Sequence, residues 1–175
     1  MTVTNRLPQN TNYLQASKFL LMFDRIPDVQ YFCQSVNIPG VSLANATYNT
    51  PTLDIPIAGS KINYNHLDIT FTVNEGAQDW QKMYEWFLAL GSPDQSQRKS
   101  LIAQQTGAYY VPQKSYSDCI LSIMSALNNP LFSVQFFNAV PVSLGDIQFD
   151  TKSNADDIIT ATATFMYEYF TFLPA

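Results

Sequence analysis

Charge is what this 175-residue chain has least of. Asp, Glu, Lys and Arg make up 13% of it, against roughly 25% in an ordinary soluble domain. Asn, Gln, Ser and Thr are abundant instead. A polar surface poor in charge suits a chain that meets other protein surfaces, because charge is depleted at the centre of interfaces. A weakly charged monomer is the plain alternative. Basic residues are scarcer than acidic ones, 9 against 14, for a formal net charge of −5. That balance argues against a protein that grips nucleic acid by its phosphates, a task for clustered Lys and Arg. The notable basic pair, Arg98-Lys99, stands in a Ser/Gln-rich segment and reads as a solvated loop.

Groups that do chemistry are equally scarce. His66 is the single histidine. As a general base it would need a nucleophile and an orienting carboxylate nearby. Asp68 shares its strand face, yet a solvated strand-end residue explains the pair as well. Cys33 and Cys119 are the two cysteines, each inside an apolar strand-like run, without metal-ligand spacing or a CxxC motif. Buried free thiols and an intracellular folding compartment are expected, with one disulfide as the alternative. Gly59-Ser60-Lys61 lacks the preceding glycines of a phosphate loop. Asp156-Asp157 lacks the further oxygen ligands of a dedicated calcium or magnesium site. No catalytic residue, metal or cofactor is expected. Long apolar runs are missing too: none approaches the roughly 18 residues of a membrane span. The segment MTVTNRLPQNTN lacks the apolar core of a signal peptide, so no membrane partner is expected.

What is present is strand and helix pattern. Residues 1–13 read as a polar flexible arm and 14–175 as a single domain. KFLLMFDR (18–25) and VQYFCQSVNI (29–38) read as two strands, parted by a Pro27-Asp28 turn and closed by Pro39-Gly40. Residues 41–65 are almost uncharged, and Pro56 demotes the alternation at Leu53, Ile55 and Ile57 to an edge. They read as a long projecting hairpin or extended loop, and a loop of that length usually has a task. Residues 66–73 alternate cleanly, with Leu67, Ile69, Phe71 and Val73 on the core face and Asp68, Thr70 and Thr72 opposite. Asn74 to Gly76 offers capping chemistry, and a helix follows over Asp79–Leu90. Its wheel puts Ala77, Trp80, Met83, Tyr84, Phe87 and Leu88 on the core side, and Gly91 and Pro93 end it. Trp86 falls about 120° off the apolar centre at 100° per residue. It either widens the core stripe or plugs into a neighbouring subunit. Residues 92–116 read as a Ser/Gln-rich insertion, with a possible short helix near Leu101–Gln105. Strand runs follow at Asp118–Leu127, Leu131–Phe137 and Ile158–Phe170, with a loop between the last two. In the final run Thr160, Thr162, Thr164 and Glu168 share the polar face. About seven strands and one strong helix describe a mostly β or α+β domain.

The order of these pieces resembles the tail tube fold of contractile-tailed bacteriophages, shared with type VI secretion tubes. The resemblance runs from Asn12 to Phe172. It rests on Phe32-Cys33, on Ser35-Val36-Asn37-Ile38-Pro39-Gly40, and on Leu67-Asp68-Ile69-Thr70-Phe71-Thr72-Val73 feeding the helix. It implies two packed antiparallel sheets forming a barrel-like sandwich with one flanking amphipathic helix. It implies hexameric rings that stack around a channel, tail sheath and baseplate proteins as partners, and passage of double-stranded DNA without specific binding. It also implies assembly in the host cytoplasm into the virion tail. Both the main tube subunit and a baseplate tube initiator fit it. In such a tube Asp68, Thr70, Thr72, Thr160, Thr162, Thr164 and Glu168 are candidates to face the lumen. Val41, Leu43, Tyr48, Leu53, Ile55, Ile57 and Trp86 are candidates for contacts between subunits. A monomeric ligand-binding β domain rests only on the aromatics, 14% of the chain, and an enzyme only on His66 and scattered carboxylates.

Overall fold

The computed structural model describes residues 13–14, 16–26, 32–91, 93, 116–151 and 157–174. Nearly all of the N-terminal arm, the Pro27-Asp28 turn and most of the 92–116 segment lie outside the described residues. So do Arg98-Lys99 and Asp156.

Among the described residues, nine strands and one helix follow in order: β1 (Phe19–Phe23), β2 (Cys33–Val36), β3 (Val41–Asn49), β4 (Asp54–Tyr64), β5 (Leu67–Thr72), α1 (Gln78–Gly91), β6 (Ser117–Met124), β7 (Pro130–Leu144), β8 (Thr160–Met166) and β9 (Tyr169–Pro174). Seven of the strands join in the order β1-β6-β7-β8-β5-β2, with β9 also on β7, and all pairings are antiparallel. The strands form two layers that share the long strand β7. Its first half pairs with β6 and β9, its second half with β8. The expected mostly β fold, two antiparallel layers with one helix, is what the chain adopts.

β7 manages this double membership at Asn138, which takes a positive φ of 54°. Asn tolerates that left-handed backbone better than most residues. Upstream the buried residues are Val134 and Phe136; downstream they are Ala139 and Pro141. The inward face therefore changes parity at one residue. The Asn138 N–H donates to the Asp118 carboxylate (3.1 Å), and its amide donates to Glu168 (2.7 Å). Across the ladder the partner strand breaks at Tyr167-Glu168 into β8 and β9. The run read as one strand over 158–170 is thus two, and the stretch after Phe137 read as a loop continues β7 to Leu144. Asn138 and Pro141 interrupt the strand pattern in sequence while the ladder runs on through them.

The core lies between the layers. Leu21 and Phe23 from β1, Leu67, Ile69 and Phe71 from β5, Cys119 and Leu121 from β6, Val134 and Phe136 from β7, and Ala161, Ala163 and Phe165 from β8 meet there. Small Ala161 and Ala163 leave room for Phe71 and Phe165, the large-against-small fit that close packing requires. The helix starts at the Asn74 cap, whose side-chain oxygen accepts from the Gln78 N–H at 2.8 Å. Its buried residues are Asp79, Met83, Trp86 and Ala89. This corrects the expected wheel. The stripe is rotated toward Trp86, which is 1% exposed and lies 6.0 Å from the Phe165 ring, with the Arg25 guanidinium 5.2 Å from its own ring. Phe87 is only half-buried. Trp80 sits at the rim, stacked on Tyr84, and its indole N–H donates to the Gly145 carbonyl at 3.0 Å.

Candidate functional site

Two surfaces carry what the sequence singled out: a threonine-rich sheet face and a projecting hairpin. The face is built by register. Asp68, Thr70 and Thr72 on β5 lie directly across from Thr164, Thr162 and Thr160 on β8. Their odd-even partners Leu67, Ile69, Phe71, Ala161, Ala163 and Phe165 are all buried. The six polar side chains therefore stand together on the outward face of one layer. Hydrogen bonds pin it: Thr164 Oγ1 donates to Asp68 at 2.7 Å, and Gln34 donates to Thr72 at 2.8 Å. Asn37 holds the upper end, accepting from the Asp68 N–H at 2.7 Å and donating to the His66 carbonyl at 3.2 Å. Neither Gln34 nor Asn37 was assigned to this face from the sequence, because the partner of Gln34 is 38 residues away and that of Asn37 is 31. Glu168 does not share this row. It sits at the break between β8 and β9, bound to Asn138. Beside Thr160 and Thr162 lies an open groove of about 760 Å³, also lined by Asp146, Asp150 and Asp157. The local charge is acidic. His66 is exposed at the head of β5, and the neighbouring Asp68 carboxylate is engaged by Thr164 rather than by the imidazole.

The hairpin is β3 and β4, a two-stranded sheet of its own. Asn65 N–H to Gly40 carbonyl closes its base at 3.0 Å, and Thr50 N–H to Leu53 carbonyl turns its tip at 3.1 Å. Of its strand residues only Ala44, Gly59 and Tyr64 are even half-buried. Val41, Leu43, Tyr48, Leu53, Ile55 and Ile57 are all exposed, from 45% to 66%. Ile62, at 51%, joins them. Trp86, grouped with these residues from its place on the wheel, belongs to the core instead, because the helix turns it inward onto Phe165. An isolated two-stranded ribbon is marginally stable in water, and this one presents a row of large aliphatic side chains with little of its own protomer to cover them.

Neither cysteine is bonded: Cys119 is buried and Cys33 half-buried. Desolvation by burial pushes the Cys33 thiol up to about 11 and holds Cys119 well above its ordinary value. Both are inert thiols at neutral pH.

Residues 4–173 match the family described as phage tail tube protein. The chain belongs to that family. A curated relative, the tail tube terminator protein of Enterobacteria phage T4, is 26% identical over 140 residues, covering 78% of this chain and 74% of that protein. Among solved structures, the tube terminating cap of the anti-feeding prophage aligns over 100% of both chains, with a TM-score of 0.63 and 20% identity. The sheath/tube terminator structure of an extracellular contractile injection system, PVC, aligns over 93% of this chain and 99% of that one, with a TM-score of 0.60 and 16% identity. For a tail tube family member the two surfaces acquire a frame. It is a structural protein of a tail.

Proposed function

We propose that this chain forms a ring that closes one end of a contractile-tail tube. The observation that carries the reading is the relationship to the phage T4 tail tube terminator across most of both chains. The likeness to the prophage cap over the whole chain agrees with it. A terminator differs from both positions the sequence offered, the repeating tube subunit and the baseplate initiator. All three share one fold; they differ in what their end faces accept. The ring holds six copies, the number the family resemblance implies. Its partners are the last tube ring and the sheath components around it.

In this ring the hairpin serves contacts between subunits. Its exposed aliphatic residues and single pair of charges, Asp54 and Lys61, make it inexpensive to desolvate. The threonine face lines the channel. Short hydroxyl side chains keep that wall wet, and Asp68 with the nearby Asp146, Asp150 and Asp157 repels passing phosphates. DNA leaving the virion then slides past a wall without a matching row of cations.

The test is a growth assay. Tube subunits of the same phage are polymerised with increasing amounts of this chain, and tube lengths are measured by electron microscopy. A terminator shortens the tubes at substoichiometric amounts and appears at one tip. Lengthened tubes with the chain spread along the walls would identify the repeating subunit instead.

A further inference from the structure

The second half of β7 is out of phase with its own sequence. Val134, Phe136, Val140, Val142 and Leu144 fall at every second residue, broken only by Asn138. An uninterrupted strand would turn all of them inward. The protein instead buries Ala139 and Pro141 and turns Val140 and Val142 outward, Val142 to 44% exposure. Hydrophobicity alone favours the opposite choice, two valines inside rather than an alanine and a proline.

Two irregularities produce this phase, and the second undoes the first. The first is the left-handed Asn138 with the facing break at Tyr167-Glu168. The second is Val142, an extra residue between the Pro141–Phe165 and Ser143–Thr164 pairs. Beyond it Leu144 packs against the core again, opposite Ala163. With that extra residue absorbed into the ladder, Val142 would stand opposite Phe165 and Val140 opposite Tyr167. Both of those partners lie on the core side. An unbroken ladder is therefore open to this sequence, and it would bury Val140, Val142 and Leu144 together.

Asn138 works against that ladder. There its amide would enter the core, where an unpaired polar group is costly. In the fold it is exposed and held on both sides. Its N–H donates to Asp118 at 3.1 Å and its amide to Glu168 at 2.7 Å. The Glu168 N–H in turn donates to the Phe137 carbonyl at 3.0 Å. Asn accepts the left-handed backbone this needs, whereas a β-branched residue does not.

We propose that Asn138 is a positioning residue: held by Asp118 and Glu168, it selects the phase of β7 and so decides that Val140 and Val142 stand on the threonine-bearing face. There Val140 lies across from Met166, the next outward residue of β8 after Thr164. Met166 is 47% exposed. The threonine row thus ends in an apolar spot that the unbroken ladder would erase. Bulges that re-aim side chains in this way are enriched beside working surfaces. This role of Asn138 holds whether or not the copies close into a ring.

The phase can be read directly through a thiol. Val142→Cys is made in the full chain, and the unaltered chain, with its buried Cys119 and half-buried Cys33, sets the background. Phe149→Cys, at a site 84% exposed, is the control. Maleimide labelling rates are compared after adding Asn138→Val, Asn138→Gly or Glu168→Gln, with folding checked by circular dichroism. Asn138→Val should slow labelling at position 142 at least about tenfold, because a buried thiol reacts only through local opening, and leave position 149 unchanged. Asn138→Gly keeps the left-handed backbone and Glu168→Gln keeps an acceptor for the amide, so both should label as their parent does. A role confined to stability would speed labelling at position 142 rather than slow it. An unchanged or faster rate there in folded Asn138→Val would overturn the proposal. Where Asn138→Val does not fold, Glu168→Ala takes its place: slower labelling at position 142 supports the role of the clamp, and an unchanged or faster rate overturns it.

Discussion

Trp86 shows how a single side chain can be read the wrong way from a helical wheel. Hydrophobicity put the centre of the apolar stripe near Met83 and Phe87. The buried stripe includes Asp79, a residue any such scale counts as polar, and that moves the centre toward Trp86. Trp86→Ala should therefore cost about 3–5 kcal/mol in urea unfolding, the range for emptying a large aromatic site. Phe87→Ala should cost clearly less, since that ring is half-exposed. Equal losses, or a loss below about 0.5 kcal/mol at Trp86, would contradict the packing described. The cysteines give a second prediction at this scale. Unfolded thiols ionise near pH 8.5, whereas Cys33 in the fold ionises at about 11. The folded state holds the proton more tightly. Its contribution to stability is complete below about pH 8.5 and is lost as pH rises toward 11. The urea midpoint should stay level from pH 7 to 8 and fall through that window, with Cys33→Ser flattening part of the fall. A midpoint that stays level to pH 11 would show that the thiols are not desolvated.

At the scale of elements, legibility followed the regularity of the ladder. β5 was plain in sequence because its neighbours β8 and β2 leave one face to the core and one outside, so hydrophobicity alternates without interruption. The threonine row on β8 was plain for the same reason. What could not be read was any place where the backbone changes direction while the pairing continues. Asn138 and the Tyr167-Glu168 break reverse the inward face of both partner strands at the same level, and no local pattern announces that. The hairpin was legible as a projection, but the irregular pairing within it was not, because the bulge depends on Gly59 meeting Ala44 across the ribbon. Two outcomes follow. Deleting the tip, residues 46–57, should leave a folded and soluble protomer that no longer assembles, as read by circular dichroism and solution mass. Gly59→Val should have the same assembly defect while shifting core stability by no more than about 0.5 kcal/mol, the scale of surface changes, since the added Cβ displaces backbone only within the hairpin. A deletion variant that assembles normally would remove the hairpin from the interface.

For the whole molecule, the physical problem is unsatisfied surface. An acidic, weakly charged chain carries a two-stranded ribbon with no fully buried residue and, on β9, a Phe172 side chain that is 60% exposed. Neither is a state in which a small domain is comfortable as a monomer, because exposed sheet edges and apolar patches invite pairing. Closure into the proposed ring would cover such surface with contacts between copies. It also leaves the threonine and aspartate face free to line a channel. Membership of the tail tube family gives this geometry a setting, and the relationship to the phage T4 terminator is the ground for the proposed position at the end of a tube. The most direct test is negative-stain microscopy of the purified chain alone over a range of concentrations. The account predicts discrete rings with a central opening that do not grow into long tubes. A protein that remains monomeric at high concentration would contradict ring formation, and long tubes grown from this chain by itself would contradict its role as a terminator.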